Sequence, residues 1–382
     1  MVKKIAIVAG EASGDQLAAH LIKSLQQRAP DIQFYGIAGP KMQAAGARSW
    51  YPMEMLSVMG YVEVLQRYRA IVRMRKELIR RLKADPPDLF IGVDAPDFNL
   101  EIERQLKRAG VTTVHYVSPS IWAWRAKRVH AIKKAVSLIL CVFPFEPDLY
   151  KPHGVAARYV GYPLADFLPH TADRKPAREQ LRLPADGPVV AFLPGSRESE
   201  LAFHAELFIA TAKRLAEQVS GVTILVPLAT RKTRESFESV LHGLEAAQLP
   251  VKIMFGHAHE AMSAADVVLA ASGTATLEAA LLGRPMVITY KVSKLSWWLM
   301  NRKRLQPWVG LPNILAGRFV VPELLQDEAT PDSLCAALVD LLHDKQKRLD
   351  IEAVFDQLYQ DLRKNTTVQL QDALLPLLGE SH

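Results

Sequence analysis

The feature that most constrains the fold is a repeated alternation of short apolar runs with helix-like segments. Six runs in the first half have the character of buried strands, at residues 5–9, 33–37, 89–93, 112–117, 138–143 and 158–160. Five more follow, at residues 189–193, 223–226, 251–255, 267–270 and 286–290. Continuous apolar runs joined by helices are typical of parallel strands that are covered on both faces. The sequence therefore predicts an α/β fold with two doubly wound sheets.

The domain boundaries follow from the places where this alternation stops. Residues 166–187 are rich in proline and charge, which predicts a linker. The expected Rossmann-like domains are then residues 1–165 and 188–343, facing each other across a cleft. Residues 344–382 have only helical patterns. We expect this helical tail to pack on the N-terminal domain or on a partner protomer, which allows for a homodimer.

The net charge indicates what kind of partner the protein binds, and the cysteine content indicates its cellular compartment. The formal net charge of +7 indicates an anionic partner, such as a phosphorylated metabolite, an acidic lipid surface or nucleic acid. Cys141 and Cys335 are the two cysteines, and neither belongs to a ligand-spaced motif. We therefore expect no disulfide and no zinc site, in a reducing cytosol. No signal peptide and no apolar run of membrane-spanning length is expected either.

The stretch 266–290 contains the first candidate ligand loop. A short apolar strand is followed by Ser272, Gly273 and Thr274, and then by a helix that carries Glu278 one turn further on. The N-terminus of such a helix can bind a phosphate, and a carboxylate facing the same loop can accept hydrogen bonds from ribose hydroxyls. A capped helix with no ligand explains the same residues equally well.

A second candidate loop follows the strand at 189–193. Gly195 permits a close backbone approach, Ser196 can cap the next helix, and Arg197 offers a planar cation suited to a pyrophosphate. A capped turn with a solvated arginine explains this loop as well.

The first domain offers carboxylates at its strand ends. Asp94 follows the strand at 89–93 directly, so it is the main candidate for a general base. Asp97 and Glu11 are the alternatives, although either of them can instead serve as a helix cap. No D-x-D pair occurs, so no carboxylate-held metal ion is expected. The charge of a leaving diphosphate would then be stabilised by Arg197 and by backbone N–H groups.

Two basic, partly apolar segments are candidates for contact with a membrane. Residues 57–83, from Ser57 to Lys83, combine aliphatic residues at helical spacing with eight lysines and arginines between 67 and 83. Residues 291–308, from Lys291 to Trp308, place Trp297 and Trp298 among basic residues. Both patterns suit an anionic bilayer surface. An ordinary domain helix with a solvated basic face, or a packed tryptophan, is the alternative.

Six motifs together resemble the lipid-A-disaccharide synthase family of GT-B glycosyltransferases. They are GEASGD, GVDAPDFNL, HYVSPSIWAWR, LPGSR, SGTATLE and LPNILAGR, in the order of the family and from residue 5 to about 320. The resemblance implies inverting transfer of 2,3-diacylglucosamine from UDP to the 6-hydroxyl of 2,3-diacylglucosamine 1-phosphate. It also implies that Asn313 joins Arg197, Ser272, Gly273, Thr274 and Glu278 around UDP, and that Asp94 is the base.

Two other functions share part of these features. A UDP-sugar 2-epimerase of the same architecture would need the Glu278 loop but not the basic segments. A non-catalytic membrane-surface protein would need the basic segments but neither Asp94 nor Arg197. Nucleic-acid binding is disfavoured because the cations alternate with aliphatic residues and not with stacking aromatics. Since both lipid substrates lie in a bilayer, we expect peripheral association with the cytoplasmic face of the inner membrane.

Overall fold

The computed structural model of the chain describes residues 2–56, 61–170 and 173–379. The chain forms two compact units. The first comprises Met1–Asp166 together with Asp361–His382, and the second comprises Phe167–Gln360.

The first unit is built on a seven-stranded sheet in which every described pair of strands is parallel. Its strands are β1 (Lys4–Ala9), β2 (Gln33–Ala38), β3 (Arg48–Pro52), β4 (Leu89–Val93), β5 (Thr112–Tyr116), β6 (Leu138–Cys141) and β7 (Ala157–Tyr159). Their spatial order is β3-β2-β1-β4-β5-β6-β7. The six strands expected from the sequence are confirmed. The edge strand β3 was not expected, because its residues RSWYP do not form a continuous apolar run.

Helices connect these strands and cover the sheet. They are α1 (Ala12–Arg28), α2 (Pro40–Ala44), α3 (Tyr61–Ala84), α4 (Pro96–Arg108), α5 (Val129–Ala135), α6 (Glu146–Tyr150) and α7 (Pro163–Phe167). One buried cluster places Leu78 and Leu82 of α3 and Ile102 of α4 against Phe90 of β4. Burying an aliphatic or aromatic side chain of this size contributes about 1.5–3 kcal/mol. The apolar inner faces of α3 and α4 therefore fix both helices beside β4.

The second unit repeats the plan with six strands, again parallel in every described pair. Its elements are α8 (Lys175–Gln180), β8 (Val189–Leu193), α9 (Glu198–Gln218), β9 (Thr223–Leu228), α10 (Arg231–Gly243), β10 (Val251–Phe255), α11 (Ala258–Ala264), β11 (Val267–Ala271), α12 (Thr274–Leu281), β12 (Met286–Tyr290), α13 (Lys294–Lys303), α14 (Leu311–Ala316), β13 (Glu323–Leu325), α15 (Pro331–His343) and α16 (Lys345–Leu362). The strand order is β10-β9-β8-β11-β12-β13.

Both sheets reverse their strand order at one point. In the first unit the reversal lies between β1 and β4, and in the second it lies between β8 and β11. In open parallel sheets, ligands bind beyond the carboxyl ends of the strands at such a switch point. We therefore expect ligand-binding and catalytic groups in the loops that begin at Gly10 and Asp94 and in those that begin at Pro194 and Ser272.

The chain segments around the expected boundaries have structure of their own. Within the expected linker 166–187, α8 places Arg178 in a buried position, where its Nη2 lies 2.9 Å from Asp266 Oδ2. At the other end, α16 runs from the second unit into the first. The final helix, α17 (Thr366–Gly379), packs on α1, and Gln371 Nε2 donates to the carbonyl of Ser24 at 2.7 Å. Exchange of this tail with a partner protomer stays a prediction.

Cys141 and Cys335 are both free cysteines, and both are buried. Of the helices in the described ranges, none has the length and apolar character that a bilayer crossing requires.

Candidate functional site

The loop between β8 and α9 is held by a carboxylate that the sequence analysis did not identify. Gly195 has φ +123°, and a Cβ there would lie 2.7 Å from the Cβ of Glu200, so glycine is required. Glu200 Oε2 accepts the N–H of Ser196 at 3.0 Å and that of Arg197 at 3.3 Å. Its Oε1 lies 3.1 Å from Arg197 Nη1. Glu200 therefore fixes both the backbone and the guanidinium of this loop.

This arrangement corrects the expected role of Ser196 as the cap of α9. The N-cap residue is Arg197, and Glu200 at the third helical position accepts the N–H of this cap residue at 3.3 Å. The sequence signal for such a helix start needs Ser, Thr, Asp or Asn at the cap, so an arginine there did not indicate it. The Arg197 side chain remains 44% exposed. Its guanidinium can therefore meet a ligand at the carboxyl end of β8.

The loop between β11 and α12 leaves open space at the switch point. The N–H of Ser272 donates to Thr289 O at 2.9 Å, and its hydroxyl donates to Val309 O at 3.4 Å. Gly273 has φ +141°, and a Cβ built on it would meet nothing within 4 Å among the described atoms. Gly273 and Thr274 are exposed at the start of α12. This geometry offers room for an anion at the helix N-terminus.

Glu278 lies one turn into α12 and is paired with a histidine. Its Oε2 is 2.8 Å from His259 Nε2, and the two side chains are 20% and 41% exposed. His259 belongs to α11, which precedes β11. No pattern in the sequence connects His259 with Glu278. The pair holds the Glu278 carboxylate in one orientation while part of it stays accessible.

The side chain of Asn313 makes four hydrogen bonds within the second unit, and its expected contact with UDP stays a prediction. Its side chain is fully buried, and Oδ1 accepts the N–H groups of Val320 and Val321 at 2.7 and 3.0 Å. Its Nδ2 donates to Val321 O at 2.9 Å and to Glu323 Oε1 at 2.8 Å. An amide has two acceptor and two donor positions, and all four are used here. The side-chain amide of Asn313 is therefore fully used within the second unit.

Glu323 gives Asn313 an indirect connection to the Ser272 loop. The two carboxylate oxygens of Glu323 accept the N–H groups of Val309 and Gly310 at 2.8 and 2.9 Å. Val309 in turn accepts from the Ser272 hydroxyl. Asn313 and Glu323 thus position the backbone beside Ser272, which the local sequence does not reveal.

In the first unit, Asp94 lies in a strained turn at the carboxyl end of β4. Asp94 has φ +52° and the next residue, Ala95, has φ +43°. Left-handed conformations cost about 1–2 kcal/mol for such residues and cluster at functional sites. The N–H of Asp94 donates to Tyr116 O at 2.9 Å, and its carbonyl accepts from Asn99 Nδ2 at 2.8 Å. Within the described ranges its half-exposed carboxylate has no hydrogen bond or ion pair, which suits a general base.

The Glu11 loop lies directly beside this turn. A Cβ on Gly10 would be 2.9 Å from the Cβ of Ala95, so glycine permits the two loops to touch. Glu11 is the N-cap residue of α1, without a capping hydrogen bond from its side chain. Asp15 of the same motif is instead structural, since its carboxylate accepts the N–H groups of Lys41 and Met42 at 2.9 and 3.0 Å. The structure thus brings Glu11 and Asp94 to one edge of the sheet.

A buried Glu–His pair lies beneath Asp94. Glu103 Oε1 of α4 is 2.6 Å from His115 Nδ1 of β5, and neither side chain is exposed. A Cβ at Gly92 would lie 2.2 Å from Glu103 Oε1, so a glycine in β4 leaves the space for this carboxylate. Burial raises the pKa of Glu103, while the charge of His115 opposes that rise. The pair fixes α4 on β5 and thereby supports the turn that carries Asp94.

A second buried glutamate orients the loop after β5. Glu146 Oε1 accepts from Trp122 Nε1 at 3.2 Å, and Oε2 accepts the N–H groups of Val142 and Phe143. Burial raises the pKa of Glu146 to about 7, against these hydrogen bonds. Trp122 is therefore held in place at the carboxyl end of the sheet.

The segment 57–83 presents only part of its positive charge to solvent. Residues 57–60 and the side chains of 61–67 lie outside what the structure describes. Further along α3, Arg81 stacks on Trp50 at 4.0 Å from the ring centroid, and Lys83 Nζ donates to Gln105 at 3.0 Å. Among the described side chains, the exposed cations are Arg69, Arg73, Lys76, Arg80 and Lys83. Arg75 and Arg81 are only partly exposed.

The segment 291–308 exposes several large apolar side chains. Four neighbouring side chains of α13 are solvent-accessible: Leu295 at 69%, Trp298 at 55%, Met300 at 43% and Leu299 at 39%. The Arg302 guanidinium lies 5.5 Å from the centroid of the Trp298 ring. Large apolar side chains exposed together mark an interaction surface.

No group of three or more His, Cys, Asp or Glu side chains placed to hold a metal ion occurs in the part of the chain that the structure describes.

Sequence comparisons cover nearly the whole chain. A family model described as lipid-A-disaccharide synthetase matches residues 5–375. A lipid-A-disaccharide synthase of Dechloromonas aromatica (strain RCB) is 55% identical over 377 residues, which is 98% of this chain and 99% of that protein. A lipid-A-disaccharide synthase of Pseudomonas aeruginosa (strain UCBPP-PA14) is 49% identical over 375 residues, 98% of each chain.

Structural comparisons find the same two-domain plan at low sequence identity. A calicheamicin glycosyltransferase is similar with a TM-score of 0.63 and 16% identity over 99% of both chains. An Anabaena protein solved in complex with UDP and glucose has a TM-score of 0.58 and 14% identity over the full length of both. A UDP-GlcNAc 2-epimerase from Neisseria meningitidis has a TM-score of 0.64 and 13% identity, over 95% of this chain and 100% of that one. These likenesses confirm the GT-B fold.

Proposed function

Because this chain belongs to the lipid-A-disaccharide synthase family, we propose that its second unit binds the UDP part of the donor and its first unit activates the acceptor. The chain is a glycosyltransferase of lipid A biosynthesis. It joins UDP-2,3-diacylglucosamine and 2,3-diacylglucosamine 1-phosphate into the lipid A disaccharide 1-phosphate and UDP. Its substrates are therefore a UDP-sugar and a lipid.

The assignment of the donor to the second unit and the acceptor to the first rests on the different side chains at the two switch points. In the second unit, Arg197 and the open N-terminus of α12 lie at the ends of β8 and β11. In the first unit, Glu11 and Asp94 lie at the ends of β1 and β4. Cationic and N–H groups suit a diphosphate, whereas a carboxylate at a strand end suits the activation of a hydroxyl.

The proposed step is a single displacement at the anomeric carbon of the donor. Asp94 removes the proton of the acceptor 6-hydroxyl as that oxygen forms its bond to C1 from the face opposite UDP. The bond from C1 to the UDP phosphate oxygen breaks with inversion, and UDP leaves with the electron pair. Arg197 stabilises the charge that develops on the leaving diphosphate. The proposal needs no metal ion and no cofactor, because arginine and N–H groups meet that charge.

The acceptor requirement tests the reaction. Purified protein should release UDP from UDP-diacylglucosamine only when the lipid monosaccharide phosphate is present, with the disaccharide as product. An epimerase would instead alter the donor sugar without an acceptor, and a non-catalytic surface protein would release no UDP. The UDP named with the Anabaena structure, at 14% identity, supports the choice of nucleotide only through the shared fold.

Glu278 is proposed to accept hydrogen bonds from the ribose hydroxyls. Hydrogen bonds to a charged group contribute about 1.5–3 kcal/mol, so Glu278→Ala should weaken UDP binding by about 10- to 100-fold in calorimetry. Glu260→Ala is a matched control, since Glu260 also pairs with a histidine of the same unit, at 3.1 Å from His257. Unchanged UDP affinity in the Glu278 variant would leave α12 as a capped helix without a ligand.

We also propose peripheral attachment to the cytoplasmic face of the inner membrane. The apolar surface of α13 and the exposed cations of α3 support this proposal, because they combine insertion into the interface with attraction to anionic lipid. The diacylated substrates require the same location.

Charge neutralisation on α3 tests the attachment. The triple variant Arg69→Gln, Arg73→Gln, Lys76→Gln should bind anionic vesicles roughly 100-fold more weakly at low salt, since each surface cation contributes about 1 kcal/mol. The difference should shrink at high salt because of screening. The control variant Arg231→Gln, Lys232→Gln, Arg234→Gln on α10 should sediment with vesicles like the original protein. Equal sedimentation of both triple variants would contradict a role for α3.

A further inference from the structure

Three arginines of the first unit converge on one exposed aspartate. Arg125 Nη1 lies 3.2 Å from Asp97 Oδ1, and the guanidinium of Arg128 also bonds this carboxylate. Arg75 Nη1 of α3 donates to the main-chain carbonyl of Asp97 at 3.2 Å. The Asp97 side chain is 77% exposed. The cluster therefore lies at the protein surface in the first turn of α4.

The cluster has more positive than negative charge. Glu101, the other carboxylate that interacts with Arg75, is bound by Arg104 through two contacts of 2.7 and 2.9 Å. Arg128 is only 16% exposed, and its burial lowers its pKa, with Arg125 adding a like charge. Binding of a second anion stabilises a desolvated guanidinium that lies beside another cation.

Two of the guanidinium groups also contact aromatic rings before any ligand binds. Arg125 lies 4.4 Å from the centroid of the Trp124 ring, and Arg75 lies 5.9 Å from that of Phe98. Stacking on aromatic rings reduces the side-chain entropy that an anion would otherwise have to remove. Planar guanidinium forks match the oxygens of a phosphate in pairs.

The cluster is next to the turn that carries the proposed base. Asp97 follows Asp94 by three residues, and Arg125 and Arg128 follow β5, which pairs directly with β4. In the acceptor, C5 carries the nucleophilic 6-hydroxymethyl group and C1 carries the phosphate, and these two carbons flank the ring oxygen. If the 6-hydroxyl of the sugar lies at Asp94, the 1-phosphate therefore lies at the same edge of the ring, separated from C5 only by the ring oxygen and C1.

We propose that Arg75, Arg125 and Arg128 bind the 1-phosphate of the acceptor, with Asp97 holding the arginines in place until the phosphate arrives. The inference rests on the proposed function, in which the first unit binds the acceptor. It assigns specificity for a phosphorylated acceptor to this cluster and leaves the proton transfer to Asp94.

The test compares two acceptors in neutral detergent micelles, so that no anionic lipid headgroup is present. One acceptor is diacylglucosamine 1-phosphate and the other is its 1-O-methyl glycoside. Arg125→Ala and Arg128→Ala should raise the KM for the phosphorylated acceptor by about tenfold or more. The KM for the methyl glycoside and for the donor should stay unchanged. Arg125→Lys should lie between, because lysine keeps the charge but not the fork.

Arg28→Ala is the matched control, since Arg28 also pairs with an aspartate of the first unit, Asp372 at 3.1 Å, but lies outside the cluster. It should change neither KM. Because Arg125 is 42% exposed, its variant is expected to fold even if the Arg128 variant does not. Equal loss with both acceptors, or none with either, would overturn the assignment.

Asp97→Asn separates phosphate binding from a purely structural ion cluster. If the arginines bind phosphate, removal of the competing carboxylate should tighten binding of the phosphorylated acceptor, measured by calorimetry without donor. If the cluster only fixes the loop, Asp97→Asn should weaken binding as Arg125→Ala does, and the proposal fails. Acceptor binding without any UDP release from the donor would refute the proposed function and leave this assignment standing.

Discussion

Asp94→Asn is expected to lower kcat by about 10²- to 10⁴-fold, the usual contribution of a general base, while UDP binding stays unchanged. The reason is that the asparagine amide cannot take the proton of the acceptor hydroxyl. Asparagine also tolerates the left-handed conformation at φ +52°, so the turn should persist. Steady-state kinetics and calorimetry with UDP would measure the two effects, and a thermal melt would check folding.

Variants of the alternative carboxylates complete this test. Glu11→Gln and Asp97→Asn should retain far more kcat than Asp94→Asn. Asp97 is the weaker alternative, because two guanidinium groups already engage its carboxylate. A near-normal kcat for Asp94→Asn would remove Asp94 from the role of base and leave Glu11, whose loop touches the same turn, as the next candidate.

Arg197→Ala is expected to lower kcat by about 10²- to 10³-fold, because a charged donor that acts on a leaving group contributes about 3–4 kcal/mol to the transition state. Arg197→Lys should recover part of the rate, since it keeps the charge but not the planar fork. Rapid-quench measurement of the chemical step would separate this effect from slower product release.

The structure provides two controls for Arg197. Arg231→Ala removes an arginine of the same unit that also pairs with a glutamate, Glu235 at 2.7 Å, and it should have no effect on kcat. Glu200→Gln keeps the Arg197 guanidinium but weakens its anchor, so its loss should be smaller than that of Arg197→Ala. An unchanged kcat in Arg197→Ala would mean that another cation faces the diphosphate.

Most strands of both sheets could be predicted because parallel strands that are buried on two faces consist of continuous apolar runs. The edge strands β3 and β13 have no such apolar run and were not predicted. Their residues, RSWYP and ELL, are only partly buried or short. Partial burial relaxes the demand for apolar side chains, and with it the pattern that identifies a strand.

The site residues also fall into those that the local sequence indicates and those that it does not. Gly195, Gly273 and Asp94 could be identified because they follow strand ends directly, where the local conformation demands particular residues. The roles of Asn313 and Glu200 could not, because they depend on which backbone groups each side chain reaches. Asn313 was expected to bind a ligand, yet four hydrogen bonds within the second unit occupy its amide.

The sequence by itself determined the two α/β sheets, the loops that end their strands and the kind of chemistry each loop offers, since these depend on residues close together in the chain. Only the tertiary structure decided that the loop of Gly10 and Glu11 touches the Asp94 turn, that His259 holds Glu278 and that three arginines meet at Asp97. Such contacts join residues far apart in sequence, and they are set by strand order and packing geometry, which no local pattern records.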